Sequence, residues 1–340
     1  MVARAAVAVV AGMSLLLTAC SAPTNNEGAA RSSELVVAVG DIAGGEFDPL
    51  KGWGTRPAEI RPIHSSLLMI DKDVNFVGDL AAEYSISDDA LTWTFKLRAN
   101  AKWSTGEPVQ ASDVVFTYKL LQDDGTRFDL SFVDKIVAVD DHTVEMRLSE
   151  PRSTFVSQLS EIPILPKAHY GPDYSNKPIG SGPYRVVDFQ HGQQLILAPN
   201  PHYYGEQPGF EKLTFLFLED AALAAARSGT VDIAYVPPAY ADQQIPGMTL
   251  KDFATVDSRS LTLPTLPAGN TGKIRGTKVK VGNDVTSDRA IRQALNIGLD
   301  REAIVDSALQ GYGRPAYTSV DDLPWFNKDA VFRDGRVEDA

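Results

Sequence analysis

A chain of 340 residues with 44% apolar side chains is too long for one small core, so two lobes are expected. A formal charge of −12 argues against nucleic acid as a partner, because phosphate needs a basic face, and against adhesion to anionic lipid. The single cysteine, Cys20, excludes an intrachain disulfide and a Cys-rich zinc site.

Residues 1–20 form a targeting segment. Arg4 gives a weak positive start, and the apolar run at 5–17 is too short to span a membrane comfortably. The run ends in Leu17-Thr18-Ala19-Cys20, which resembles a bacterial lipobox. That resemblance implies cleavage before Cys20 and lipids on the new N-terminal cysteine, held at a bilayer by their buried methylenes. A plain signal peptide or an anchor helix with an incidental cysteine is the alternative. Residues 21–33 lack large apolar side chains and read as a flexible tether.

Residues 34–40 (ELVVAVG) read as a strand buried on both faces, followed by a Gly/Pro-rich loop at 41–57. Trp53 lies there between Gly52 and Gly54. An exposed tryptophan is costly unless it meets a ligand or packs under its own loop. Arg56 is placed to meet a ligand carboxylate or to stay solvated. A helix is expected over 58–67, and short strands over 68–76 around Asp71-Lys72-Asp73.

In residues 91–98 Leu91, Trp93, Phe95 and Leu97 alternate with polar residues, the period of a half-buried strand. Residues 104–108 (STGEP) turn the chain. Ser112-Asp113 then starts a helix whose inner face carries Val114, Val115, Tyr118 and Leu121. Residues 132–140 and 142–148 read as a hairpin, 151–159 as a helix, and 162–166 as an extended crossing. Gly180-Ser181-Gly182-Pro183-Tyr184 reads as a structural turn. It offers no helix N-terminus for a phosphate and no Gly-x-Ser-x-Gly for a hydrolase serine. Strands are expected over 193–199, 213–218, 230–234 and 259–266, with an Ala-rich helix at 219–228 and a Gly/Lys loop at 267–282 that lacks P-loop spacing. Ser287 caps a last helix, on which Ile291, Ala294, Leu295 and Leu299 share one face.

Residues 80–122, LAAEYSISDDALTWTFKLRANAKWSTGEPVQASDVVFTYKLLQ, resemble the signature of the peptide/nickel class of ABC-transporter substrate-binding proteins, solute-binding protein family 5. Asp48-Pro49, the Gly180–Tyr184 turn, Asn200-Pro201-His202-Tyr203-Tyr204-Gly205, the helix–strand unit at 219–234 and the run at 283–300 are similar to further elements of that family, and the resemblance implies that Tyr235-Val236-Pro237-Pro238 leaves the sheet edge near the cleft. The resemblance implies an α/β, periplasmic-binding-protein-like fold of two lobes (Venus-flytrap, class II or cluster C type) with an extra subdomain in the first lobe. It divides the chain into a lipoprotein signal peptide (1–20), a tether (21–33), a first lobe (34–282) and the start of an incomplete second lobe (283–340). Within the first lobe, 34–66 and 176–282 are core and 67–175 the inserted subdomain. Family members continue well beyond this point, and 333–340 reads like a helix start, so the chain reads as a fragment, a truncated product or a gene-model error.

The function implied is capture of an oligopeptide or a nickel or metal chelate outside the cytoplasm by a lipid-anchored monomer that serves an ABC permease. No enzymatic activity, cofactor or protein-bound metal is implied. Trp53, Arg56, Arg259, Tyr317 and Trp325 are the candidate ligand-binding residues, with Cys20 the lipidation site. An extracytoplasmic hydrolase or peptidase, or a non-functional remnant, is the alternative. His64, His142, His169, His191 and His202 show no metal-ligand spacing.

Overall fold

The computed structural model describes residues 33–39, 47–48, 61–73, 75–125, 128–218, 221–253, 258–274 and 277–318. β1 (Glu34–Val39) is the first strand, as its β-branched run implies. The helix expected at 58–67 is not found in its described part: Arg61–Ile63 turns and His64–Ser66 runs irregularly. The Pro62 and Ile63 carbonyls accept the N–H groups of Tyr184 (2.8 Å) and Gly182 (2.9 Å), so this backbone is spent on a distant partner rather than on a helical ladder. β2 (Leu68–Ile70) and β3 (Phe76–Gly78) then pair around Asp71, whose carboxylate accepts from the N–H groups of Asp73 and Asn75 at 2.8 and 2.9 Å.

The signature stretch builds a second sheet. β4 (Ala81–Ile86), β5 (Thr92–Leu97), β6 (Val133–Ala138) and β7 (Thr143–Leu148) are all antiparallel, in the order β4-β5-β7-β6. Alternation puts Trp93 and Phe95 opposite Met146 and Val144 on the buried face. α1 (Ala111–Asp124) covers that face with Val114, Tyr118 and Leu121, each buried; fully burying such a side chain contributes about 1.5–3 kcal/mol. Its N-cap is Gln110 rather than Ser112. Asp113 acts three residues into the helix, accepting from Gln110 N–H (2.9 Å) with one oxygen and from Lys167 N–H (2.9 Å) with the other. Gly125, left-handed at φ 59°, ends it. α2 (Phe155–Glu161) closes the core with Phe155 and Leu159.

After the extended crossing at 162–166 the chain returns to β1. β8 (Tyr184–Gln190), β9 (Gln194–Pro199) and β10 (Lys212–Phe217) are antiparallel neighbours, while β1 runs parallel to β10 and to β11 (Ile233–Ala234). The resulting five-stranded order is β11-β1-β10-β9-β8. One face buries Phe47, Leu195, Leu197, Phe215 and Phe217. The other receives α3 (Ala222–Arg227), whose small Ala222 and Ala226 lie one turn apart against Ala38 and Val231. Asp232 fixes the register of β11, since its carboxylate accepts from Val36 N–H (2.8 Å) and its own N–H donates to Val36 O (2.8 Å).

The strand expected at 259–266 is absent. Pro264 and Pro267 remove donors there, and Leu261 and Leu266 stay exposed with no partner strand among the described residues. The expected loop at 267–282 is instead a hairpin, β12 (Asn270–Ile274) with β13 (Thr277–Val281), whose Val279/Val281 against Lys278/Lys280 alternation has the strand period. α4 (Arg289–Gly298) is capped by Asp288, one residue after the expected Ser287, through Ala290 N–H. Its Ile291, Ala294 and Leu295 face is exposed. α5 (Arg301–Leu309) follows, capped by Asp300.

Candidate functional site at the carboxyl edge of the parallel strands

In an open α/β sheet, ligands bind outside the carboxyl ends of parallel strands. Here three such ends lie side by side: Leu218 N–H donates to Val39 O (2.8 Å) beyond β10, and Tyr235 N–H reaches Ala38 O (3.3 Å) beyond β11. Tyr235 emerges there 60% exposed, and the short 3₁₀ turn Pro238–Tyr240 follows, with Tyr240 also exposed. Tyr312, just after α5, donates its hydroxyl to Asp242 Oδ1 (3.2 Å) and so joins the 283–318 region to this edge.

Two buried residues that follow β1 in the chain, Phe47 and Asp48, lie at the same edge. The Phe47 ring meets Phe189 edge-on, centroids 4.9 Å apart, within the sheet core. Asp48 is fully buried, and Tyr170 donates its hydroxyl to both carboxylate oxygens (3.0 and 3.2 Å). Burial, reinforced by the Asp48 charge, pushes the Tyr170 hydroxyl well above its ordinary range, so it stays a donor at every physiological pH. Deeper in the same layer Tyr174 donates to Ile179 O (2.8 Å). Its single proton being spent, His64 Nε2 is the donor in the 2.8 Å contact between them.

A seam of polar contacts fixes where this edge stands against the four-stranded sheet. Tyr204 hydrogen-bonds the Asp79 carboxylate and Ser65 Oγ, Ser66 N–H donates to Asp79 Oδ2 (2.9 Å), and Arg98 Nε donates to Asp79 O (2.6 Å) while its guanidinium lies 5.5 Å from the Tyr204 ring centre. Arg98 is thus a scaffold residue. Burial pushes the Asp79 carboxyl up, against the opposing pull of Tyr204 and Ser66. Asn200, fully buried, donates to Gly182 O (2.9 Å). The Gly180–Tyr184 turn and the Asn200 turn are therefore parts of this seam.

Of the residues singled out in the sequence, Trp53, Arg56, Trp325 and Cys20 lie outside the described residues. Arg259 is exposed on the irregular run before β12. Tyr317 is half-buried after α5, with the Arg301 guanidinium 5.4 Å from its ring centre. Arg301 also donates to Ala316 O (3.1 Å) and Asn296 O (3.0 Å), which clamps Tyr317 beside the two helices. Sequence reasoning missed Tyr170 and Tyr240, and it placed Tyr235 at the sheet edge near the cleft without naming it among the ligand-binding residues. Tyr235 carried a signal, as the first residue past a predicted strand; Tyr170 carried none, sitting in an aperiodic Gly/Pro/Asp-rich stretch. Among the described residues no group of three His, Cys, Asp or Glu side chains is arranged to hold a metal ion, and no described helix is long and apolar enough to cross a membrane. What the edge offers is aromatic faces, hydroxyl donors and a firmly held Phe47–Asp48 pair, the equipment of recognition.

Comparison with known proteins gives a concordant picture. The family described as bacterial extracellular solute-binding proteins, family 5 Middle, matches residues 75–339. Protein XP55 of Streptomyces lividans is 34% identical over 345 residues, covering 96% of this chain and 59% of that protein. The structure of the oligopeptide-binding protein AppA of Bacillus subtilis in complex with a nonapeptide superposes with a TM-score of 0.69 at 25% identity, covering 87% of this chain and 60% of that one. NikZ of Campylobacter jejuni in complex with Ni(L-His) shares the fold with a TM-score of 0.72 at 24% identity, covering 88% of this chain and 59% of that one. The chain spans no more than 60% of the length of these three proteins.

Proposed function

Because the chain belongs to family 5 of the bacterial extracellular solute-binding proteins, we propose that it is the capture component of an ABC importer, binding an oligopeptide outside the cytoplasm and passing it to a permease. The observation that carries this reading is the carboxyl edge, where the buried Phe47–Asp48 pair and Tyr235 flank three parallel strand ends. A nickel or metal chelate is the second ligand class, favoured by the shared fold of NikZ, which was solved with Ni(L-His).

The domain reading has support in the topology. The five-stranded sheet draws its strands from residues 34–66 and 176–282 alone, and the four-stranded sheet from 67–175 alone, as a lobe core with an inserted subdomain requires. Residues 283–340 then open a second lobe, and ligand favours a closed state through contacts made to both lobes at once. Trp53, Arg56, Arg259, Tyr317 and Trp325 line the cleft together with Tyr235. The monomer is held to the membrane through lipid on Cys20.

Calorimetric titration with mixed oligopeptides and, separately, with nickel–histidine tests the ligand class. Saturable heat with peptides, and their recovery uncleaved, supports the proposal. Peptide cleavage defeats it in favour of a hydrolase, and heat with the chelate alone moves the ligand to the second class. For the anchor, labelled palmitate is expected on the native chain and not on Cys20→Ser; label on both removes it.

A further inference from the structure

Charge is unevenly distributed along this acidic chain. Residues 258–283 contain Arg259, Lys273, Arg275, Lys278 and Lys280 and no Asp or Glu, against a formal −12 for the whole. Four of these five basic residues fall between positions 273 and 280, in the β12–β13 hairpin and its connection. The hairpin pairs with no other strand among the described residues. Its register sets Lys273 directly across from Lys278, and Thr271 across from Lys280. Like charges in directly opposed positions disfavour a two-stranded ladder, and an anionic surface offsets such a clustering of charge. Lys278 and Lys280 are exposed while Val279 and Val281 on the alternate positions are half-buried, which turns the lysines to solvent. Neither lysine forms a salt bridge within the described residues.

We propose that the β12–β13 hairpin is a contact surface for anionic phospholipid. The acidity of the whole chain does not forbid this. At physiological ionic strength charges are screened over about 8 Å, whereas a five-residue strand is about 17 Å long, so a surface approaching the end where β12 joins β13 senses the hairpin's own charges first; Asp284, which accepts from Ala268 N–H (2.9 Å), stands at the opposite, open end. Lysine suits such a target. It is a strongly hydrated point charge on a flexible stem, matched to a diffuse layer of headgroups, whereas a defined carboxylate or phosphate site calls for the fork of arginine. The inference stands apart from the capture function and from lipidation at Cys20: either can fail without touching it.

The test is partition of the full chain onto phosphatidylcholine vesicles and onto vesicles that also contain phosphatidylglycerol. The apolar run at 5–17 contributes equally to both, so the difference between them reports charge. Binding is expected to be tighter on the anionic vesicles and to fall with added salt. The double substitution Lys278→Gln with Lys280→Gln is expected to weaken it by about thirtyfold, about fivefold per lysine, with no change on the neutral vesicles. Lys72→Gln with Lys177→Gln removes the same charge from two well-exposed lysines elsewhere and is expected to leave partition within about twofold of the native chain, as distant charges are screened. Equal partition onto the two vesicle types overturns the proposal, as does an equal loss from the two double substitutions.

Discussion

Gly180→Ala probes the seam that holds the two sheets in place. A Cβ at Gly180 would lie 1.9 Å from the Ile63 carbonyl oxygen, 2.7 Å from its carbon and 3.0 Å from Ile63 Cγ2. Such distances are not tolerated, and the obstacle is buried backbone, so one of the two segments has to retreat. The retreat breaks or stretches three hydrogen bonds, from Gly182 N–H to Ile63 O (2.9 Å), from Tyr184 N–H to Pro62 O (2.8 Å) and from Ser104 N–H to Gly180 O (2.9 Å). At about 1 kcal/mol net for each bond, with an overpacking cost of about 1–3 kcal/mol, some of it relieved by the movement itself, the loss comes to about 3–5 kcal/mol. With a urea m-value of about 3 kcal/mol/M the unfolding midpoint should drop by about 1–1.7 M. Gly171→Ala is the control, because a Cβ there meets nothing within 4 Å, and it should stay within about 0.5 kcal/mol of the native chain. If Gly180→Ala unfolds at the midpoint of that control, the close approach does not constrain the seam and the reasoning fails.

Tyr170→Phe removes the hydroxyl that serves both Asp48 oxygens, a hydrogen bond to a charged group, and should cost about 1.5–3 kcal/mol in the same urea titration; a loss below about 0.5 kcal/mol would mean that other groups hold Asp48 unaided. For Asp79, burial raises the carboxyl above its ordinary 3.8, so the native state holds the proton more tightly than the unfolded chain does. That contribution is complete below pH 3.8 and is lost as pH rises through the raised native value. The stability of the native chain relative to Asp79→Asn should therefore fall with rising pH over this range, and a rise instead would show that the hydrogen bonds from Tyr204 and Ser66 outweigh burial. Tyr235→Ala should weaken the ligand found by calorimetry by about tenfold, about 1.4 kcal/mol, without moving the urea midpoint, since the side chain is 60% exposed; unchanged affinity would remove it from the site.

Local pattern carried much of the fold. The alternation in β5 and β7, the apolar face of α1 and the β-branched run of β1 each followed from contacts within a few residues, which a linear sequence displays directly. Reading failed where a distant partner decides. The residues at 61–67 have helical spacing, yet Gly182 and Tyr184 take their carbonyls from more than a hundred positions away. Leu261, Leu263 and Leu266 look like strand positions, but two prolines and the want of a partner strand among the described residues leave them irregular, while the expected loop after them finds its partner in itself.

The candidate site divides along the same line. Asp48 and the edge beyond β11 were legible as positions, because strand ends and turn residues mark themselves in the chain. That Tyr170 would reach Asp48 from 122 residues away was not. By itself the sequence determined which segments bury which faces, since burial period is a short-range property. Only the tertiary structure decided which strand ends share an edge and which side chains meet there, because those pairings depend on register between segments far apart in the chain.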